Sequence, residues 1–360
     1  MIRLAEVIKT FLPDLEQQYG SRLLPSHRQA LTAIEQCRTQ ALGTAAIHCQ
    51  DCDSHAVFPL SCGHRFCPQC QHEARETWLE RQRAKLLPVD YYLITFTLPA
   101  PLRALVYDHQ REAYDLLIRL AWQTLAAFGL RDKTLHGDLG ATVVLHTHNR
   151  ALDFHPHVHV VLPAGAIDPA TRHWNRKTGK FLFPHKALAK VFRAKWFAAM
   201  KELGWTVRAD LPAQWVVDCK PVGNGDKALI YLGRYLYHGV LPEKNILRNA
   251  DGQVTFRYTD NTGTQKTRTL AGADFRWLLL RHVLPKGLRR SRDYGFLHAN
   301  CKRLIGLLHR VLRFIPPQPQ QRPPRCCKHC GGMVTVSIFP IPAHLRSAAR
   351  PAAASLEAAM

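Results

Sequence analysis

The heptapeptide HPHVHVV, residues 155–161, sets His155, His157 and His159 at alternate positions. A β-strand has a side-chain period of two, so the three imidazoles project from one face. An inward strand face ordinarily carries Val or Ile, and neutral imidazoles placed there need polar partners; a shared divalent cation supplies one. The run ATVVLHTH precedes them, and the turn-forming residues 149–153 fold it back as a hairpin, which brings His146 or His148 within reach. Three imidazole ligands leave coordination positions open, the condition under which a cation can act as a Lewis acid on a phosphate or a carbonyl.

Tyr231 and Tyr235 lie four apart in KALIYLGRYLYHGV. On a helix they are separated by about 40° and one turn, so both phenols point the same way while Tyr237 points elsewhere. Such a pair alone is ordinary core packing. Beside a histidine face and a strong positive field it becomes a pair of nucleophiles, because a phenolic oxygen with a divalent ion can break a DNA phosphodiester. Arg234, next to Tyr235, can hold a phosphate or lower a phenol's pKa. The pairs Cys49/Cys52 and Cys67/Cys70 are C-x-x-C units with fourteen residues between them, about the arm length of a zinc ribbon. Four thiolates at about 2.3 Å complete a tetrahedral Zn²⁺, leaving no open position, so the expected role is structural. His48, Cys62 and His64 are spare donors that can replace one ligand, and Cys327-x-x-Cys330 is half a site.

The 360 residues carry 49 Lys and Arg against 27 Asp and Glu, a formal charge of +22, with 46% hydrophobic residues. The apolar content excludes disorder for most of the chain, and the field attracts polyanions: nucleic acid first, an anionic membrane second. Segments such as RWLLLRHVLP are cut by Arg or Pro far short of the roughly 20 apolar residues that cross a bilayer. The opening MIRLAEVIKTFLPDLEQQYG reads as an amphipathic helix rather than a secretory signal, and an odd count of eleven cysteines with C-x-x-C spacing reads as metal thiolate in a reducing cytoplasm.

Around these motifs the chain alternates strand-like and helical texture. Residues 1–45 read as helices, and 73–87 as a charged helix whose Arg75, Arg81 and Lys85 suit a phosphate backbone. YYLITFTLP reads as a strand, 105–128 as one long helix, 186–203 as another and WVVDCKPV as a strand. QVTFRYTD and TQKTRTLA form a hairpin around residues 261–263, followed by the helical ADFRWLLLRHVL. Hairpins among helices favour an α+β sheet domain over a doubly wound parallel sheet. Three blocks follow: 1–88 helical and zinc-binding, 89–300 catalytic, and 301–360 a basic, Pro-rich tail whose Ala-rich end is expected to be poorly ordered.

Cys67-Pro68-x-Cys70 preceded by Ser61-Cys62 and Arg65-Phe66, then Leu145-His146-Thr147, His155-Pro156-His157-x-His159, Tyr231-Leu232-Gly233-Arg234-Tyr235 and Leu284-Pro285-Lys286-Gly287, resemble in order the IS91-type rolling-circle transposases of bacterial insertion sequences. The resemblance spans roughly residues 30–300. That family belongs to the HUH endonucleases, whose paired histidines map to His157 and His159, a third upstream histidine to His146, and paired tyrosines to Tyr231 and Tyr235. It implies an antiparallel sheet of four or five strands with the histidines on a central strand and the tyrosine helix packed against it. It further implies Mg²⁺ or Mn²⁺ on the three histidines, single-stranded DNA as substrate, a 5′-phosphotyrosine intermediate, element ends or hairpins bound by the zinc module and the basic helix, and a bacterial, nucleoid-associated location. Three rivals are a replication initiator or relaxase using the same chemistry, a zinc-ribbon binder without catalysis, and a three-histidine metallohydrolase acting on small molecules, which leaves the +22 charge and the tyrosine pair unexplained; a covalent protein–DNA product separates the last two from the others.

Overall fold

The computed structural model describes residues 1–206, 210–237, 239–260, 262–319 and 325–342. At its centre a five-stranded sheet runs in the order Ser291–Gly295, Gly140–His148, Phe154–Pro163, Tyr91–Thr97, Val217–Pro221, with every neighbouring pair antiparallel. The histidine strand Phe154–Pro163 is the middle one. This is the α+β arrangement expected from hairpins interleaved with helices.

Both faces of the sheet are covered, which is why its inner strands read as nearly unbroken apolar runs. On one face Val143, Leu145, Val158 and Val160 share a core with the helices Gln110–Arg131 and His185–Glu202, through Leu117, Phe192 and Trp196. On the other, Val144 and Val161 meet Leu229 and Leu232 of the tyrosine helix Asp226–Tyr237. Strand parity therefore places His146 with Val144, and His157 and His159 with Val161, on the side of the tyrosines. The long helix expected over 105–128 is broken instead: Arg103–Asp108 and Gln110–Arg131 are separated at His109, whose φ of −116° and ψ of 45° are not helical. The charged helix spans His72–Arg83 and stops short of Pro88.

A second core joins distant parts of the chain. Val7, Ile8, Leu15 and Ile34 from the helices Leu4–Thr10, Leu12–Tyr19 and Pro25–Gln36 pack with Val254, Phe256 and Phe275. Those partners belong to the three-stranded antiparallel sheet Ile246–Ala250, Gln253–Thr259, Gln265–Ala271 and the helix Gly272–Leu280. Gly272 is required there, because a Cβ would stand 2.2 Å from the Phe11 ring. A third sheet has Gly43–Cys49 between His55–Pro59 and Val334–Pro340. Packing thus crosses the sequence blocks 1–88, 89–300 and 301–360. The Ala-rich end from 343, His238 and Asn261 of the expected hairpin turn lie outside the described residues. Among the described residues no helix is long and apolar enough to cross a membrane.

Candidate active site and cysteine clusters

His146, His157 and His159 each offer a ring nitrogen, and the three atoms lie within 4.8 Å of one another. Pairing His146 directly opposite His157 across the hairpin produces this closeness, and the register slips only beyond it, between His146 and His148. Hydrogen bonds set the free nitrogens. His157 Nδ1 donates to the His155 carbonyl at 2.7 Å, which leaves Nε2 with its lone pair; His159 Nδ1 pairs with the Thr95 hydroxyl at 2.8 Å. His146 is fully buried and neither of its ring nitrogens has a hydrogen-bond partner. A buried orphan imidazole is costly without a ligand, so the trio fits a divalent cation. Burial pushes His157 down to about 4 and His159 to about 3, and holds His146 well below the usual imidazole range, with the neighbouring histidines adding to the effect. All three are neutral at pH 7, the form that ligates metal. His155 takes a different role: its Nδ1 accepts from Arg103 Nη2 at 2.8 Å, outside the trio.

The tyrosine helix brings both phenols to this cluster. Tyr235 stacks on His146 with ring centroids 4.1 Å apart and 15° between planes; Tyr231 lies 6.0 Å from His159 and 5.1 Å from Tyr235. Its buried stripe, Ala228, Leu229, Leu232 and Leu236, faces the sheet, so Tyr231 and Tyr235 fall on the flank that overlooks the imidazoles. Burial raises the Tyr231 phenol's pKa and a hydrogen bond with Tyr235 adds to it. Two contacts fix the helix. At its first residue Asp226 accepts from Arg83 Nε at 2.6 Å and Nη2 at 3.1 Å, and at Gly233 a Cβ would stand only 3.3 Å from the Trp78 ring, so the charged helix packs close alongside.

Basic cavities flank the tyrosine helix on both sides. One of about 1100 Å³ is lined by Tyr235, His148, Arg75, Arg234, Arg150 and Arg257; the other, about 970 Å³, by Tyr237, Arg65, Arg81, Lys85, Arg289 and Arg290. The four cations expected to meet DNA thus divide between the two cavities, and two are already engaged: Lys85 pairs with Asp293 at 2.5 Å and Arg75 with Glu76 at 2.5 Å. Three contributors escaped sequence reading. Thr95 orients His159 from the neighbouring strand. His282, buried, donates from Nε2 to the Leu152 carbonyl at 2.8 Å, with its ring 5.2 Å from that of His148. Arg290 donates to the Leu145 carbonyl at 2.9 Å, and burial lowers it to about 10. The LPKG motif gave its neighbourhood: Arg65 donates to the carbonyls of Leu284, Pro285 and Leu288 at 2.7 to 3.0 Å, tying the cysteine segment to the loop that carries Arg290.

The cysteine pairing differs from the expectation. Cys49, Cys52, Cys67 and Cys70 do not meet at one point. Cys67 and Cys70 join Cys37 and Cys62, while Cys49 and Cys52 join Cys327 and Cys330, each quartet with its sulfurs within 4.8 Å of one another. Local backbone explains the first set. Arg38 after Cys37 and Gly63 after Cys62 have positive φ, 58° and 64°, which turns the chain so that the sulfurs converge. Cys62 and Cys70 Sγ are 3.6 Å apart, near the edge of about 3.8 Å that a tetrahedron with bonds of about 2.3 Å requires. Of the spare donors only Cys62 is used: His48 pairs with Asp53 at 3.0 Å, and His64 Nδ1 accepts from Phe66 N–H.

Imidazoles on the central strand and its neighbour, two phenols beside them and a cysteine quartet in the N-terminal region define an α+β protein with a histidine–tyrosine site and a zinc-binding domain. Residues 7–98 match the family model described as "Transposase zinc-binding domain", and residues 140–304 the model described as "Putative transposase". Over 382 residues the chain is 31% identical to "Putative transposase y4qJ" of Sinorhizobium fredii, covering 91% of this chain and 94% of that protein. It is also 27% identical over 313 residues to "Transposase for insertion sequence element IS801" of Pseudomonas savastanoi pv. phaseolicola, covering 81% of this chain and 75% of the relative. The chain belongs to the IS91-type transposase family. Cys37, Cys62, Cys67 and Cys70 fall within the first matched region; His146, His157, His159, Tyr231, Tyr235 and Arg290 fall within the second.

Proposed function

We propose that this transposase nicks and rejoins single-stranded DNA at the ends of an insertion sequence through a 5′-phosphotyrosine, the chemistry of rolling-circle transposition. The observation that carries the reading is the convergence of two phenols on three buried, neutral imidazoles, of which His146 has no hydrogen-bond partner. His146, His157 and His159 would hold Mg²⁺ or Mn²⁺, which when bound supplies Lewis-acid polarisation of a phosphate oxygen. Tyr231 or Tyr235 attacks phosphorus: the phenolic O–H bond breaks, an O–P bond forms, and the bond from phosphorus to the 3′ oxygen breaks, releasing a 3′-hydroxyl. One phosphoester replaces another, so no ATP is consumed and a later 3′-hydroxyl can reverse the step. The second phenol allows two successive transfers without release of the DNA.

The basic cavity of about 1100 Å³ beside Tyr235 would take the unpaired strand, with Arg234, Arg150 and Arg257 toward the phosphates. Zn²⁺ held by Cys37, Cys62, Cys67 and Cys70 would lock the segment that carries Arg65, and so the Arg290 loop. The test is adduct mapping. After incubation with single-stranded element-end DNA and Mn²⁺, nuclease and trypsin digestion should leave a nucleotide mass on Tyr231 in the peptide ALIYLGR, residues 228–234, or on Tyr235 in the peptide YLYHGVLPEK, residues 235–244. An adduct on another residue, or none, overturns the assignment.

A further inference from the structure

We propose that Cys49, Cys52, Cys327 and Cys330 form a second structural Zn²⁺ site, which staples the C-terminal segment to the N-terminal domain. Cys327 and Cys330 lie outside both matched regions, which end at 98 and 304.

The geometry is that of two knuckles facing each other. Cys49 Sγ lies 3.5 Å from Cys330 Sγ and Cys52 Sγ 3.6 Å from Cys327 Sγ, close to the edge of about 3.8 Å of a tetrahedral tetrathiolate. Within each C-x-x-C unit the residue after the second cysteine is left-handed: Asp53 at φ 53° and Gly331 at φ 78°. That turn aims backbone N–H groups at the sulfurs. His329 N–H donates to Cys327 Sγ and Gly332 N–H to Cys330 Sγ, both at 3.4 Å, and the Ser54 N–H does so for Cys52. Such bonds stabilise thiolates, and a four-thiolate set selects a soft, tetrahedral ion with no open position. The knuckles touch closely: a Cβ on Gly332 would stand 1.8 Å from the Asp51 carboxylate.

The surroundings say why an ion is needed. Val334–Pro340 pairs antiparallel along the whole of Gly43–Cys49, from Gly43 opposite Pro340 to Cys49 opposite Val334. Yet Ile338, Phe339, Val57 and Phe58 of this small sheet are exposed, and among the described residues none of its three strands contributes to the main cores. A sheet so poor in buried apolar area does not hold its edge by packing. Four ligands on one ion supply what the core lacks.

The test uses the full-length protein purified without chelator, and its outcome is independent of DNA cleavage. Metal analysis by inductively coupled plasma and native mass spectrometry should find two Zn²⁺ per chain in the wild type, and one in Cys327→Ser/Cys330→Ser. Iodoacetamide footprinting of the wild type avoids any folding defect of the variant. Cys326 and Cys330 are both exposed, so exposure alone labels them alike. The proposal expects Cys326 to label at once, and Cys330, Cys327, Cys49 and Cys52 only after a chelator. Equal labelling of Cys326 and Cys330, a single zinc in the wild type, or a disulfide within the quartet overturns it.

Discussion

The sulfur quartet Cys37/Cys62/Cys67/Cys70 and the imidazole trio His146/His157/His159 are both tight clusters of ligand atoms, and they differ in count, charge and cover. Four thiolates enclose an ion completely and can only hold structure. Three neutral imidazoles would leave a bound ion open, and Tyr231 and Tyr235 lie beside them. The quartet is assembled by local turns within some thirty residues; the trio hangs on a rigid sheet whose register places His146 opposite His157. Removing a donor from the first should therefore cost folding and from the second chemistry, and the variants below are chosen to separate the two.

The largest expected effect is on the trio. His157→Ala with His159→Ala should lower the rate of protein–DNA adduct formation by about a thousandfold or more, since Lewis-acid stabilisation is worth several kcal/mol. Affinity for single-stranded DNA, measured by fluorescence anisotropy, should remain largely intact because phosphate contacts elsewhere supply it. Cys62→Ser should do the reverse in kind: one Zn²⁺ fewer per chain and a loss of stability on the order of several kcal/mol, read as a thermal melt. Equal melting losses in both variants would erase the distinction between the clusters.

Smaller effects sharpen the same contrast. His27, buried on the helix Pro25–Gln36 with its ring edge-on to Trp277, is pushed down to about 4 by desolvation. The unfolded chain binds its proton near 6.5, so below that value the unfolded state holds more protons than the folded one and stability falls as pH drops from 7 toward 4. Chemical denaturation across that window should show a loss on the order of 3 kcal/mol from His27 alone, with the metal-free trio adding to it. Smallest is Arg83→Ala, which removes the bidentate contact to Asp226 at the start of the tyrosine helix. Both groups are about one-third exposed, so about 1 kcal/mol of stability is expected, with a modest slowing of adduct formation in single-turnover kinetics.

Much of this site was legible in the sequence because its parts obey short periods. Alternation put His157 and His159 on one face, a four-residue step put Tyr231 and Tyr235 on one flank, and the hairpin left only His146 or His148 as the third donor. The cysteines were not legible in the same way. Spacing identifies C-x-x-C knuckles but not which two close on each other, and the natural pairing of neighbours 49/52 with 67/70 is undone by a partner 281 residues away along the chain. Cys37 carried no motif at all. Arg290 and His282 were invisible for a similar reason: each reaches the site through a backbone carbonyl on the histidine hairpin, Leu145 or Leu152, and carbonyls leave no trace in side-chain patterns.

The central claim is that phenolic oxygen from the helix Asp226–Tyr237 becomes bonded to DNA. Labelled single-stranded element-end DNA and Mn²⁺, resolved on a denaturing gel, test it directly. Wild type and at least one of Tyr231→Phe and Tyr235→Phe should give a protein-linked band, and the double variant none; a band of wild-type intensity from the double variant would contradict the account.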